Sequence, residues 1–363
     1  MWGRKRIEIQ NQIRAIREAL YDVLEVQTIY HTRRDIFIKV LPPPSLVNWK
    51  EVATDRLSSL GYSVEFGRLD PTQPAGPAVL HLRRPGERAE ANIPWTNIIL
   101  FLLTVITTLL AGAVMNEANP FSNPLLIFRG VSFALPLLLI LTFHEFGHYI
   151  QSRINGIKVS LPYFIPGPTL FGTFGAVIRS KSPFKTRRDL LDVGAAGPIA
   201  GFVVAIVVII IGLSHSQIVE ETPGEGLILG ESLIFRFLSS LVLKDLPQDH
   251  TVLLSPTAFA GWAGILVTML NLLPIGQLDG GHIIYALLGR HQRKVATVVT
   301  LSLIPLGYFF WEGWFVWVVL VLLIKIGHPP TLNDQVPLDI KRKVIGWVAM
   351  LIFVLSFTPV PIK

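Results

Sequence analysis

The spacing of apolar residues changes character near residue 92. Before that point hydrophobic positions are spaced; after it they run in blocks. Ile9, Ile13, Ile16, Leu20 and Val23 recur at alternating steps of four and three, which places them on one helix face. Ile36, Ile38 and Val40 alternate as a half-buried strand does. Prolines 42, 43 and 44 break the chain there. Ser45 is a suitable N-cap and Gly61 a suitable stop for a helix over 46–60. Stretches 62–66 and 78–82 read as two more short strands. This pattern predicts a small α+β domain over residues 1–92, soluble and without a catalytic constellation, whose plainest role is packing or docking.

From Trp95 onward the pattern is that of a membrane. Apolar stretches fall at 95–115, 130–150, 193–213, 258–288, 295–310, 314–326 and 344–357. About 20 apolar residues cross a hydrocarbon core of about 30 Å. The stretch 258–288 is interrupted by Pro274 and Asp279 and reads as one broken span. The next two form a tight pair joined by WEGW. Residues 228–243, ILGESLIFRFLSSLVL, are apolar but carry Glu231 and Arg236, so an interfacial or extramembrane helix is expected. The expected fold class is a polytopic α-helical membrane protein of about seven spans with a small N-terminal α+β soluble domain. The membrane core covers 93–290, and the C-terminal transmembrane helices cover 291–363.

Composition agrees with that reading: 51% of the 363 residues are hydrophobic and 16% charged. The net charge is a modest +7, and basic residues gather in four clusters: RRPGER, RSKSPFKTRR, GRHQRK and DIKRK. With seven spans and a cytoplasmic N-terminus all four fall on the cytoplasmic side. The loops MNEANPFSNP, SHSQIVEETPGEG and WEGW, poor in Lys and Arg, fall opposite. The charge therefore marks topology, and no nucleic-acid partner is expected. The basic N-terminal stretch lacks the apolar region of a signal peptide, and Glu8, Glu18, Asp22 and Glu25 argue against a transit peptide. With no cysteine, disulfides and thiolate metal sites are excluded, and any metal must be held by His, Asp or Glu.

The chemistry concentrates at the end of the second span, in LTFHEFGHYI. On a helix His144 and His148 are four residues apart and project from one face, where both imidazoles can bind one zinc ion. Glu145 lies beside them as the candidate base acting on a water. The alternative is a pair of buried histidines bonded to carbonyls, but burying a glutamate with them in lipid has no structural reward. A catalytic zinc needs a third protein ligand and an open position. Glu220, Glu221, Glu225, Glu231 and Glu312 fall in or near the loops placed outside. The remaining intramembrane carboxylate is Asp279, in NLLPIGQLDGGH, which can also serve as a cap at a helix-breaking turn. The second and fourth spans run in the same direction, which places Asp279 at a depth similar to that of the histidines. His282 is read as lining the cavity, and His215, His250, His291 and His328 as solvated loop residues.

HEFGH on one span and NLLPIGQLDGG on a later one resemble the site-two proteases, intramembrane zinc metalloproteases. GTFGAVIRSKSP and DVGAAGPIAGF agree with that family, most closely with its archaeal, cyanobacterial and plastid branch. The resemblance covers about residues 95–289 and includes neither a PDZ nor a CBS domain. It implies one Zn2+ per chain and a substrate that is itself a transmembrane helix. That substrate would be a single-span protein such as an anti-sigma factor or membrane-tethered regulator, cleaved in the bilayer of the cell membrane. It also implies that Asn271 holds the substrate carbonyl or backbone near the site, the alternative for Asn271 being a helix–helix hydrogen bond. The glycines of GAAGPIAG are read as close helix packing. The apolar run FGTFGAVI, with Gly172, Thr173, Phe174 and Gly175, is read as a re-entrant strand whose edge binds substrate, the alternative being a hairpin that only packs on the spans. Two other readings are a CAAX-type membrane protease, which needs a downstream glutamate helix, and a non-proteolytic metal transporter or sensor.

Overall fold

The computed structural model describes residues 2–31, 35–42, 48–68, 77–83, 93–220, 227–243, 250–324 and 326–363. The expected N-cap Ser45, Pro43, Pro44, most of RRPGER, Glu221 and Glu225 lie outside the described residues. The chain divides into two compact units.

The first unit comprises residues 1–93, 180–186 and 330–336. It contains α1 (Trp2–Leu20), β1 (Glu25–His31), β2 (Asp35–Leu41), α2 (Trp49–Ser59), β3 (Ser63–Arg68) and β4 (Ala78–Arg83). The strands form one antiparallel sheet in the order β1-β2-β4-β3, with Ile38 opposite Leu80 and Leu80 opposite Phe66. Period-two alternation sends Ile36, Ile38, Leu80 and Leu82 into a core with Ile16 and Leu57 of the helices. Phe37 and Val79 pack with Leu332 in a separate cluster. Leu332 is held there by its amide on the Phe184 carbonyl, 3.0 Å, and Asn333 by its amide on Lys185, 2.8 Å.

The periodicity of α1 holds as far as Leu20. The amides of Val23 and Leu24 both turn back to the Leu20 carbonyl, so Val23 joins the core from a turn and not from the helix. Helix α2 stops where Gly61 permits it. Gly61 has φ +79°, its amide bonds Ser58 and that of Tyr62 bonds Leu57, the paired bonds of a Schellman stop. Strand β1 was not anticipated. Its side chains are exposed or only half-buried, so the residues EVQTIYH carry little apolar alternation.

The second unit holds α3 (Trp95–Met115), α4 (Val131–Ile154), β5 (Tyr163–Pro166), β6 (Thr173–Val177), α5 (Arg187–Ser214), β7 (Gln217–Glu220) and α6 (Leu233–Leu243). It continues with β8 (His250–Leu253), α7 (Pro256–Asn271), α8 (Asp279–Leu288), α9 (Gln292–Phe309), α10 (Gly313–Ile324) and α11 (Ile340–Ser356). Among the described residues α3, α5 and the helical stretch from Pro124 to Ile154 are long and apolar enough to cross a membrane. Their exposed faces carry Phe101, Leu102, Leu135, Phe143, Val203 and Ile211. Helix α6, with 11 residues, is about 16 Å long, half of a hydrocarbon core. The stretch 258–288 is two helices, α7 and α8, separated by a non-helical turn over 272–278. Helix α5 is central: it packs against α4, α7, α8 and α11, and is the most buried of the three long helices.

Candidate metal centre

Three elements meet at one place. Helix α4 supplies His144 and Glu145, 4% and 5% exposed, and one turn later His148. Helix α8 supplies Asp279 as its first residue, where a carboxylate also suits the positive end of the helix dipole. Helix α7 ends on Asn271.

The donor atoms form a nearly equilateral triangle. His144 Nε2 lies 3.2 Å from Asp279 Oδ2 and 3.2 Å from His148 Nε2, and His148 Nε2 lies 3.3 Å from the same Oδ2. A tetrahedral zinc with bonds of about 2.0–2.1 Å has its ligands about 3.3 Å apart. Among the described residues this is the one group of three or more His, Asp or Glu whose ligand atoms converge within 4.8 Å. His148 donates through Nδ1 to the carbonyl of Val193 at 2.7 Å, so its Nε2 carries the lone pair that faces the triangle. Two imidazole nitrogens and a carboxylate, with a fourth side left to water or substrate, fit zinc. Asn271 Nδ2 lies 3.3 Å from His144 Nε2 and so borders the triangle.

Helix α5 forms the floor under these groups. A Cβ added to Gly197 would lie 2.1 Å from His148 Nε2. One on Gly201 would lie 3.1 Å from His144 Cβ, and one on Gly194 would lie 2.9 Å from His282 Cβ. Gly194, Gly197 and Gly201 follow helical spacing, so one glycine stripe receives the metal-side residues of α4 and α8. From sequence alone these glycines are expected only to pack helices closely. Their particular role is to leave room for the imidazoles. The stripe is anchored near its start by Arg342 of α11, whose Nε and Nη2 each bond one oxygen of Asp192 at 2.8 Å.

The other expected residues lie in a β5–β6 hairpin, with Tyr163 opposite Val177 and Phe164 opposite Ala176. Gly172, φ +73°, presses on α3, where an added Cβ would come within 2.4 Å of the Thr107 carbonyl. Its bareness therefore serves the seat of the hairpin. Thr173 points inward and donates to Ile165 O at 2.8 Å. Phe174 is 67% exposed, and Gly175, φ +96°, has nothing near an added Cβ. Of the four, Phe174 and Gly175 are the open ones. His328, expected in solvent, is half-buried and bonded to His282 at 2.6 Å.

These residues fall within a recognised sequence family. Residues 132–310 match the profile of Peptidase family M50. The chain is 32% identical over 261 residues to "Probable zinc metalloprotease EGY2, chloroplastic" of Oryza sativa subsp. indica, covering 69% of this chain and 47% of the relative. It is 31% identical over 296 residues to the protein of that name in Arabidopsis thaliana, covering 78% of this chain and 52% of the relative. With "Probable zinc metalloprotease EGY1, chloroplastic" of the same plant it shares 32% over 294 residues, or 72% and 52% of the two chains. The chain belongs to Peptidase family M50, the site-two proteases. It spans about half the length of the relatives it matches. No solved structure matches it.

Proposed function

We propose that this chain is an intramembrane zinc metalloprotease that cleaves a transmembrane segment of a membrane-tethered protein. The observation that carries the reading is the triangle of His144, His148 and Asp279 with Glu145 buried beside it, the two histidines and the glutamate on a helical stretch long and apolar enough to cross a membrane. Zinc held there supplies Lewis acidity, which lowers the pKa of a water and polarises a carbonyl. Glu145 takes the proton of the attacking water and returns it to the leaving amine. Asn271 donates to the substrate carbonyl or backbone beside His144.

A substrate helix has its own amides paired, so it must be opened before its bond can be cut. The β5–β6 hairpin is suited to hold the opened form. Asn97 Nδ2 bonds the carbonyls of Leu161 and Pro162 at 3.0 and 2.8 Å, Phe101 packs on Phe164 at 5.0 Å, and Gly172 reaches Thr107. Ten residues along α3 are about 15 Å, so the hairpin enters the depth of the first span. Gly112 of α3 lies against Phe133 of α4. His144 lies 11 residues beyond Phe133, and the same rise back along the oppositely directed α3 reaches about Phe101. The hairpin and the metal centre thus share a level. Phe174 and Gly175 bind the extended substrate along the free edge of β6.

In this reading the chain is a multi-pass protein of the cell membrane with seven crossings: α3, α4, α5, the α7–α8 pair, α9, α10 and α11. The basic clusters support a cytoplasmic N-terminus in this reading, with residues 1–92 as an extramembrane domain. Co-expression with single-span reporter substrates tests the activity. Wild type yields a cleaved product, whereas Glu145→Gln yields none while keeping about one zinc per chain. Cleavage by the Gln variant, or loss of its zinc, overturns the role given to Glu145.

A further inference from the structure

The turn that precedes Asp279 is closed internally by two backbone bonds, from the Ile275 amide to Leu273 O at 2.7 Å and from the Leu278 amide to Ile275 O at 3.2 Å. Residues 272–278 belong to no helix, Gly276 has φ +55°, and the start of α8 has no side-chain cap. Outside the turn, further support comes from the segment after α10. The Gly276 amide donates to Ile326 O at 3.0 Å, and His282 Nδ1 bonds His328 Nε2 at 2.6 Å. Gly276 and His282 lie three residues before and three after Asp279, so residues 326–328 strap the turn on both sides of it. The strap is pinned in turn by Gln292, 1% exposed. Its Nε2 donates to Ile326 O at 3.4 Å and its Oε1 accepts from the His328 amide at 3.1 Å.

The direction of the His282–His328 bond follows from its neighbours. His328 Nδ1 lies 2.5 Å from the Pro329 carbonyl, which can only accept, so Nδ1 carries the hydrogen. In the neutral ring Nε2 is then the acceptor, and His282 donates to it through Nδ1. The Tyr285 ring lies against that of His328, with centroids 4.6 Å apart, and fixes its plane.

We propose that His328 is a positioning residue for the metal centre: through His282 it holds the turn so that the Asp279 carboxylate meets His144 and His148. The inference rests on Asp279 being the third metal ligand. Residues that orient a ligand typically change metal affinity by about 10–100-fold when removed.

The test is zinc release from the full-length protein in lipid nanodiscs after dilution into excess EDTA. His328→Ala and His328→Phe should release zinc about tenfold faster or more. Phe keeps a ring against Tyr285 and carries the comparison if Ala does not fold. His328→Gln places an acceptor oxygen near the position of Nε2 and should release within about threefold of wild type. Asp279→Ala should bind no zinc. Wild-type release from Ala and Phe, with Asp279→Ala empty, overturns the strap alone, as does a Gln variant as fast as Phe. Zinc retained by Asp279→Ala overturns the ligand assignment instead.

Discussion

The imidazole of His148 donates from Nδ1 to the main-chain carbonyl of Val193, 2.7 Å away. That contact ties the second histidine of HEFGH to a different helix and leaves its Nε2 facing Asp279 and His144. It requires α4 and α5 to approach closely, and Gly197 makes this possible by leaving the space the ring occupies.

Gly197→Ala is therefore expected to act on the metal and not merely on packing. Its Cβ would sit 2.1 Å from His148 Nε2, so the ring must move off both the triangle and Val193. Zinc affinity should fall about tenfold or more. Gly346→Ala is the control, since its Cβ would meet only side-chain ends of Leu191 and Leu287 at 3.0–3.1 Å. Competition with a chromophoric chelator reads both variants. Equal affinities would show that α5 is a passive wall.

Asp279→Ala should leave about zero zinc per chain, and His282→Ala about one at saturating zinc. Asp279 Oδ2 is within 3.3 Å of both histidine nitrogens, whereas His282 turns its Nδ1 to His328. Metal analysis of the purified variants decides it, and the reverse pattern would exchange the two roles.

What the sequence made legible follows the range of each interaction. The i, i+4 spacing of His144 and His148 is a property of one helix, and the apolar blocks of α3, α4 and α5 are long enough to read alone. Asp279 is reached through the membrane depth expected of it, a constraint that acts across the chain. His328 had no such constraint: a histidine before two prolines reads as a solvated loop, and its bond to His282 spans 46 residues. Gly197 was visible as a small residue, but nothing local says that its neighbour is an imidazole. Leu332 lies far in sequence from the Phe37 and Val79 it packs against.

Leu332 is 2% exposed in that cluster, and Leu332→Ala should cost about 2–5 kcal/mol locally, towards the lower figure because the cluster is small. Hydrogen exchange of the full chain should then show weaker protection of the β2 and β4 amides around Phe37 and Val79. Unchanged protection there would mean that residues 330–336 add nothing to the stability of the sheet.

Proline scanning of β6 tests whether the hairpin edge binds substrate. In an antiparallel pair neighbouring residues direct their amides alternately to the partner strand and to the open side. Ala176 and Val177 are neighbours on β6, paired with Phe164 and Tyr163 of β5. Proline removes the amide hydrogen at its own position. One of the two variants therefore loses a bond within the hairpin, and the other loses a donor on the open edge. If substrate adds as a strand, the edge-side variant keeps its fold and zinc while cleavage slows about tenfold, the loss of about 1.4 kcal/mol. A neutral amide bond to an extended substrate is worth about 0.5–1.5 kcal/mol, so this loss is near the upper end of what one donor supplies. Phe174→Ala, at a side chain 67% exposed, should affect some substrate sequences and not others, because it removes a side-chain contact and leaves the backbone edge intact. Cleavage unimpaired by proline at either position would exclude strand addition and leave the hairpin as packing against α3.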